Sequence, residues 1–103
     1  NKKLQVLTLD PAVEDILRES IQQSEFGSYL AVDPEVAQSL INKVARYHEE
    51  LIRKGTTPII LCAPILRIYF KRLLDRFMND LVVLSYNEID SNVQVEVVGM
   101  VTA

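Results

Sequence analysis

Residues 57–85, TPIILCAPILRIYFKRLLDRFMNDLVVLS, contain two continuous apolar runs on either side of a helical pattern. The runs at 57–62 and 81–85 are short and rich in Ile, Leu and Val, which is typical of strands buried on both faces. A strand, a helix and a second strand in this order predict a right-handed crossover between parallel strands. The apolar face of the helix, predicted over 64–78, consists of Leu66, Tyr69, Phe70, Leu73, Leu74 and Phe77.

The N-terminal half adds one strand and two helices to this unit. A β-rich run occupies 4–9 and predicts the first strand. The pairs Asp10-Pro11 and Asp33-Pro34 are both helix-start signals, because Asp accepts hydrogen bonds from the free N–H groups and Pro fits the first helical position. We predict one helix over 11–23, a connector over 24–29, and a second helix from Pro34 until Gly55 ends it.

The last apolar run, at 93–101, alternates at its start between Val and polar residues, which predicts a half-exposed strand at a sheet edge. A short connection separates it from the strand at 81–85, so the simplest pairing of these two strands is antiparallel. The predicted fold is therefore α/β, in the order β-α-α-β-α-β-β. We expect one small mixed sheet with the helices packed on it, and a single domain over 1–103.

Composition limits the class of protein. A length of 103 residues suits one domain, and a net charge of −3 lacks the basic excess that nucleic-acid binding calls for. The single cysteine, Cys62, excludes an internal disulfide and fits a reducing compartment. The longest apolar run is far shorter than a membrane span. Because the chain starts at Asn1 rather than Met, we expect it to be a piece of a larger protein.

The supply of reactive groups is thin. His48, the only histidine, lies within the second predicted helix, where a structural role is favoured over that of a general base. Cys62 ends a buried strand just before a helix. It could be a nucleophile in a small Rossmann-like enzyme or ligand-binding domain that uses the turn from Cys62 to Pro64, but a buried apolar role is favoured. That turn contains no glycine, so we expect no nucleotide there and no other cofactor. One His and one Cys supply too few soft ligands for a conventional zinc site, so we expect no metal.

Two groups of polar residues are candidates for recognition. Tyr86, Asn87 and Glu88 follow the strand at 81–85, and Tyr and Asn combine apolar area with hydrogen bonding, which suits a partner surface. The alternative is an ordinary turn. The helix at 64–78 carries Arg67 and Lys71 in a basic face that could attract an acidic partner, and the alternative is a solvated surface.

The runs PIILCAPILRIYFKRLLDRF, DLVVLSYNEI and VQVEVVGMV, with LDPAVED and YLAVDPEVAQSLINKV upstream, resemble the C-terminal end of the FHIPEP family, the export-gate proteins of bacterial flagellar type III secretion. Relatives in this family serve virulence injectisomes. The resemblance covers nearly the whole chain, and the motif from Leu84 to Ile89 is its most specific part. It implies that the chain is the last subdomain of the cytoplasmic region of a membrane-anchored parent.

The resemblance also implies a function and partners. The parent would assemble into a homo-oligomeric ring on the cytoplasmic side of the inner membrane, receive chaperone–substrate complexes and support their export for flagellum assembly. The chain would then be a non-enzymatic module whose partners are other subdomains and copies of the parent, export chaperones with their substrates, and export-apparatus components. We expect no nucleic acid and no direct membrane contact by this segment. The injectisome counterpart is the alternative within the family.

Overall fold

The computed structural model describes residues 3–102, which contain three α-helices and six strands. The α/β class and all three predicted helices are confirmed. In chain order the elements are β1 (Lys3–Leu9), α1 (Pro11–Glu19), β2 (Ile21–Ser24), β3 (Gly27–Leu30), α2 (Pro34–Arg53), β4 (Ile59–Cys62), α3 (Arg67–Asp75), β5 (Val82–Ser85), a 3₁₀ helix (Tyr86–Glu88) and β6 (Gln94–Val101).

Four of the strands form one sheet in the order β5–β4–β1–β6, and every neighbouring pair in it is parallel. The parallel pairing of β4 with β5 through α3 confirms the predicted crossover, and the edge position predicted for the last strand is also confirmed. The predictions of a mixed sheet and of an antiparallel pairing for the last strand are wrong. Strand β6 runs parallel to β1, in register from Lys3 opposite Gln94 to Leu9 opposite Val101, with one bulge after Val6.

The connection between β5 and β6 explains this difference. An antiparallel partner for β5 would need a short turn, but residues 86–93 instead carry the chain from one edge of the sheet to the other. Ile89, within this connection, packs against Val6, Ile59 and Leu61. Parallel sheets are stable when both faces are covered, so the crossing segment supplies cover where no helix lies.

The helices cover the opposite face of the sheet. A single core combines the apolar faces of all three helices with side chains from β1, β4, β5 and β6, and Phe70 is its largest fully buried member. None of the described helices is both long enough and apolar enough to span a membrane. The buried helical residues of this core are Val13 and Leu17 in α1, Leu40, Ile41, Val44 and Leu51 in α2, and Phe70 and Leu74 in α3.

A small antiparallel hairpin, β2–β3, stands where the sequence predicted the end of helix one and a connector. Helix α1 ends at Glu19, and the hydroxyl of Ser20 donates to the carbonyl of Ile16 at 2.7 Å, a local bond that competes with helix continuation. Gly27 adopts a φ of 119°, which permits the tight turn of the hairpin. Ile21 and Leu30 pair across the hairpin and pack against the main core.

Both predicted helix caps are confirmed. A carboxylate oxygen of Asp10 accepts the N–H of Ala12 at 2.9 Å, and one of Asp33 accepts the N–H of Glu35 at 2.9 Å. Helix α2 ends at Arg53, and Gly55 follows it with a φ of 75°. Helix α3 is shorter than the predicted 64–78, because turns occupy both of its ends.

Helix α2 holds strand β6 against the sheet. The ring of Tyr47 lies so close to Gly99 that a β-carbon at that position would come within 2.5 Å of the ring. The Tyr47 hydroxyl donates to the carbonyl of Met100 at 3.4 Å, and the Lys43 ammonium donates to the carbonyl of Thr102 at 2.9 Å. The glycine therefore allows the helix to approach the strand closely.

Candidate interaction site at the carboxyl edge of the sheet

The carboxyl ends of the parallel strands lie together on one side of the sheet, which we call the carboxyl edge to distinguish it from the outer strands. There Cys62 at the end of β4 lies opposite Ser85 at the end of β5. The turn into α3 and the 3₁₀ helix both start there, and β1 ends at the same edge before it leads into α1. Ligands of parallel α/β sheets bind at this edge, because loops with polar groups converge there. The candidate site therefore consists of the polar side chains at these strand ends.

Glu14 connects three segments at this edge. One oxygen of its carboxylate accepts the backbone N–H of Ala63 at 2.7 Å and the hydroxyl of Tyr86 at 3.2 Å. Burial raises the pKa of the Tyr86 hydroxyl, and the neighbouring Glu14 charge and the hydrogen bond to it raise that pKa further. Tyr86 therefore stays protonated as a donor, although 46% of the residue is exposed.

A second network surrounds the 3₁₀ helix. One oxygen of Glu88 accepts the backbone N–H of Ser85 at 2.8 Å and lies 2.9 Å from its hydroxyl, and the same oxygen is 3.2 Å from Nε of Arg67. The Ser85 hydroxyl, which is buried, also contacts the side-chain oxygen of Asn87. The two hydrogen bonds from Ser85 are the main causes that lower the pKa of Glu88, and the charge of Arg67 lowers it further. The network leaves Glu88 ionised in a fixed position.

The structure brings four of the five predicted surface residues together. Tyr86, Asn87 and Glu88 share the 3₁₀ helix, and Arg67 reaches them from the start of α3. Lys71 is one helical turn after Arg67, but its ammonium makes other contacts: it is 2.8 Å from the carboxylate of Asp75 and donates to the carbonyl of Leu81 at 2.8 Å.

The contact of Lys71 with Leu81 therefore joins the middle of α3 to the residue just before β5, at the opposite end of that strand from the site. Whether these five residues meet a partner stays a prediction.

Cys62 is buried at the centre of this edge, and its thiol is free. Desolvation raises the pKa of the Cys62 thiol to about 12, and the negative charge of Glu14 is the next largest cause of this rise. A thiol needs a lowered pKa to act as a nucleophile at neutral pH, so the environment of Cys62 opposes the enzymatic alternative.

His48 lies away from the candidate site. Its Nε2 is 2.9 Å from a carboxylate oxygen of Asp80, which joins α2 to the connection between α3 and β5. The hydrogen bond from His48 is the main cause that lowers the pKa of Asp80. Within residues 3–102, no group of three or more His, Cys, Asp or Glu side chains is arranged to hold a metal ion.

Glu14 is the residue of this site that the sequence analysis missed. The helix dipole already explains an acid in the first turn of a helix, so the sequence pattern does not mark Glu14 for another role. A signal was nevertheless present. The sequence predicts that the first helix starts directly after the first strand, so an acid in its first turn lies near the carboxyl end of that strand.

The fold and this network define a small parallel α/β domain with a structured polar surface at the carboxyl edge of its sheet. The pattern of the FHIPEP family matches residues 1–94. The flagellar biosynthesis protein FlhA of Bacillus subtilis strain 168 is 42% identical to the chain over 101 residues, which are 98% of this chain and 15% of that protein. The chain belongs to the FHIPEP family.

Solved structures agree with this assignment. The cryo-EM structure of nonameric EPEC SctV-C superposes with a TM-score of 0.82 at 30% identity, over 97% of this chain and 29% of that one. The nonameric EscV cytosolic domain from the type III secretion system superposes with a TM-score of 0.66 at 30% identity, over 93% of this chain and 28% of that one. The chain therefore corresponds to less than a third of each solved domain.

Proposed function

We propose that this chain is the C-terminal subdomain of the cytoplasmic region of a flagellar export-gate protein, and that it acts by binding rather than by catalysis. The observation that carries this proposal is the 42% identity with FlhA over nearly the whole chain. The parent would be anchored in the inner membrane, with this segment on the cytoplasmic side. The EscV domain on which this chain superposes is cytosolic, and this supports the proposed location.

The proposed partners are copies of the same parent in a ring, together with chaperone–substrate complexes and export-apparatus components. The nonameric state of two structural relatives supports the ring. The proposed contact surface is the cluster of Arg67, Tyr86, Asn87 and Glu88. Its exposed side chains are held in place by hydrogen bonds and an ion pair, so a partner would meet a preorganised surface.

The test uses charge changes in the chromosomal gene of the source organism. We expect Arg67→Glu and Glu88→Arg each to reduce the hook and filament proteins in the culture supernatant, while the parent protein still accumulates. Arg46→Glu, an exposed change on α2, is the matched control and should leave export unchanged. Normal export by both folded variants would remove this surface from the proposal.

The double variant Arg67→Glu/Glu88→Arg separates a contact role from a structural one. It can restore the ion pair between the two side chains, but it exchanges their positions on the surface. If export stays low, a partner recognises the original arrangement of charges. If export returns, the pair only stabilises the domain, and the contact surface must lie elsewhere.

The injectisome counterpart is the second candidate. The superposition on the EscV domain from a type III secretion system supports it, but the identity there is 30% against 42% for the flagellar relative. Deletion of the segment that encodes this chain separates the two candidates. Loss of hook and filament proteins supports the flagellar role, and loss of other secreted proteins with normal flagella supports the injectisome role.

A further inference from the structure

A groove of about 370 Å³ lies between β3 of the hairpin and α3, away from the carboxyl-edge network. Its walls combine aromatic, aliphatic and basic side chains. They include Tyr29 and Val32 from the hairpin side and Tyr69, Arg72, Leu73 and Arg76 from α3 and its C-terminal end.

The groove carries positive charge from Arg72 and Arg76. Arg72 and Arg76 are both exposed, and neither forms an ion pair with any residue in the described range 3–102. Asp75, the acid between them, is engaged by Lys71 at 2.8 Å. Among residues 3–102, no acidic residue lines the groove. Two arginines beside an apolar floor favour a ligand that carries carboxylates next to apolar side chains.

The second wall of the groove offers backbone groups. The N–H of Ala31 donates to the carbonyl of Ser20 at 2.7 Å, so Ala31 and Ser20 form a hydrogen-bonded pair of the hairpin. In an antiparallel ladder such pairs alternate, and the N–H and C=O groups of Leu30 therefore point away from β2. Successive side chains of a strand point to opposite faces, so Tyr29 and Leu30 lie on different faces of β3. Because both of them line the groove, the groove reaches the outer edge of β3, which faces away from β2.

We propose that this groove binds an acidic segment of another polypeptide in an extended conformation. The segment would pair with the outer edge of β3, as in β-strand addition, and two of its carboxylates would contact Arg72 and Arg76. Its apolar side chains would pack on Tyr69 and Leu73. This inference concerns a separate surface and does not depend on a role in export.

The experiment titrates the ¹⁵N-labelled chain with a short synthetic peptide that alternates Glu with Val or Tyr, and follows amide chemical shifts. We expect shifts at β3 and α3. We expect Arg72→Gln/Arg76→Gln to weaken binding by at least about tenfold, because two charge-assisted contacts are lost. Arg46→Gln/Arg53→Gln, a matched change of charge on α2, should bind like the wild-type chain.

Two N-methylated peptides test the extended conformation. Methylation of alternate amides in one register removes the N–H groups that face β3, and that peptide should lose binding. Methylation in the other register affects amides that face away, and that peptide should keep it. Equal loss of binding with both peptides would mean that the segment does not pair with β3 as a strand and binds as a helix instead.

Other outcomes would overturn the proposal. No shift with the unmodified peptide, or equal affinity of the Arg72→Gln/Arg76→Gln variant, would mean that the groove does not bind acidic peptides. Tighter binding of a single-stranded oligonucleotide through the same arginines would assign the groove to nucleic acid instead.

Discussion

Glu88 accepts two hydrogen bonds from Ser85 and forms an ion pair with Arg67, and these contacts favour its ionised form. The folded-state pKa of Glu88 is therefore below its ordinary value of 4.5. A carboxylate of this kind stabilises the fold above its unfolded-state pKa, and the contribution is lost as the pH falls through the folded-state value. The effect of Glu88 on stability must then depend on pH.

We expect Glu88→Gln to lower the free energy of unfolding at neutral pH, and we expect its difference from the wild-type chain to shrink as the pH falls below about 4.5. Urea denaturation at several pH values measures this difference. Introduction of Ser85→Ala into both chains removes the hydroxyl contact and should reduce the pH-dependent part. A difference that stays constant down to about pH 3 would contradict the role of ionised Glu88.

The reactivity of Cys62 depends on its protonation state, because the thiolate is the reactive form of cysteine. Burial and a pKa of about 12 keep this thiol protonated, so the folded chain should not react with a disulfide reagent such as DTNB at about pH 8. It should react completely in denaturant. Ser91→Cys in a Cys62→Ala background is the control, because Ser91 is exposed and a thiol there should react at once. Rapid reaction of native Cys62 would revive the nucleophile alternative.

At the scale of single elements, the start of α2 depends on one side chain. The carboxylate of Asp33 accepts the N–H of Glu35, and Pro34 occupies the first helical position. We expect Asp33→Ala to destabilise the chain by about 0.5–2 kcal/mol, because the cap is lost and an N–H group is left without its partner. The urea midpoint measures this change. Asp33→Ser, which keeps a capping oxygen, should retain most of the stability, and equal stability of the Ala variant would show that the cap is dispensable.

The elements that the sequence predicted correctly carry strong local signals. The Asp-Pro pairs mark the starts of α1 and α2, and the apolar runs mark β4 and β5. The hairpin carries weaker signals. Its strands have four residues each, and Gln22, Gln23 and Glu25 are compatible with a helix. Contacts of Ile21 and Leu30 with the core favour the hairpin, and those contacts exist only after the chain has folded.

At the scale of the whole molecule, β6 completes the sheet although it is last in the chain. It pairs with β1 along seven residues of that strand, and its final residue, Val101, is fully buried in the main core. The fold therefore closes through a contact between its first and last strands.

We expect truncation after Val93 to abolish cooperative unfolding, because β1 would lose a neighbour and the core would lose Val101. Circular dichroism during urea denaturation and the dispersion of amide NMR signals measure the effect. Val97→Thr, in the same strand but 55% exposed, is the control and should keep the cooperative transition. Native-like dispersion of the truncated chain would show that the remaining elements fold without β6.

The candidate site shows the same division between local and distant information. Tyr86, Asn87, Glu88 and Arg67 could be proposed from sequence, since they are polar or aromatic residues next to a buried strand and a helix start. Their connection through Ser85, and the contact of Glu14 with Tyr86, join residues as far apart as 72 positions. No local pattern encodes such a pair, because it depends on how β1 and β5 are placed in the sheet.

Short segments of the sequence predict the α/β class, the three helices, the caps of α1 and α2, the parallel β4–α3–β5 unit and the family. These features depend on residue types and spacings within short segments, where turn chemistry and apolar periodicity act directly. Three features follow only from the folded chain: β6 pairs with β1, residues 86–93 cross the sheet, and the Lys71 ammonium contacts Asp75 and Leu81 rather than Glu88. The first two follow from the need to complete a parallel sheet and cover both of its faces, which segments distant in the chain satisfy. The third follows from the position of Leu81 beside α3 in the folded chain.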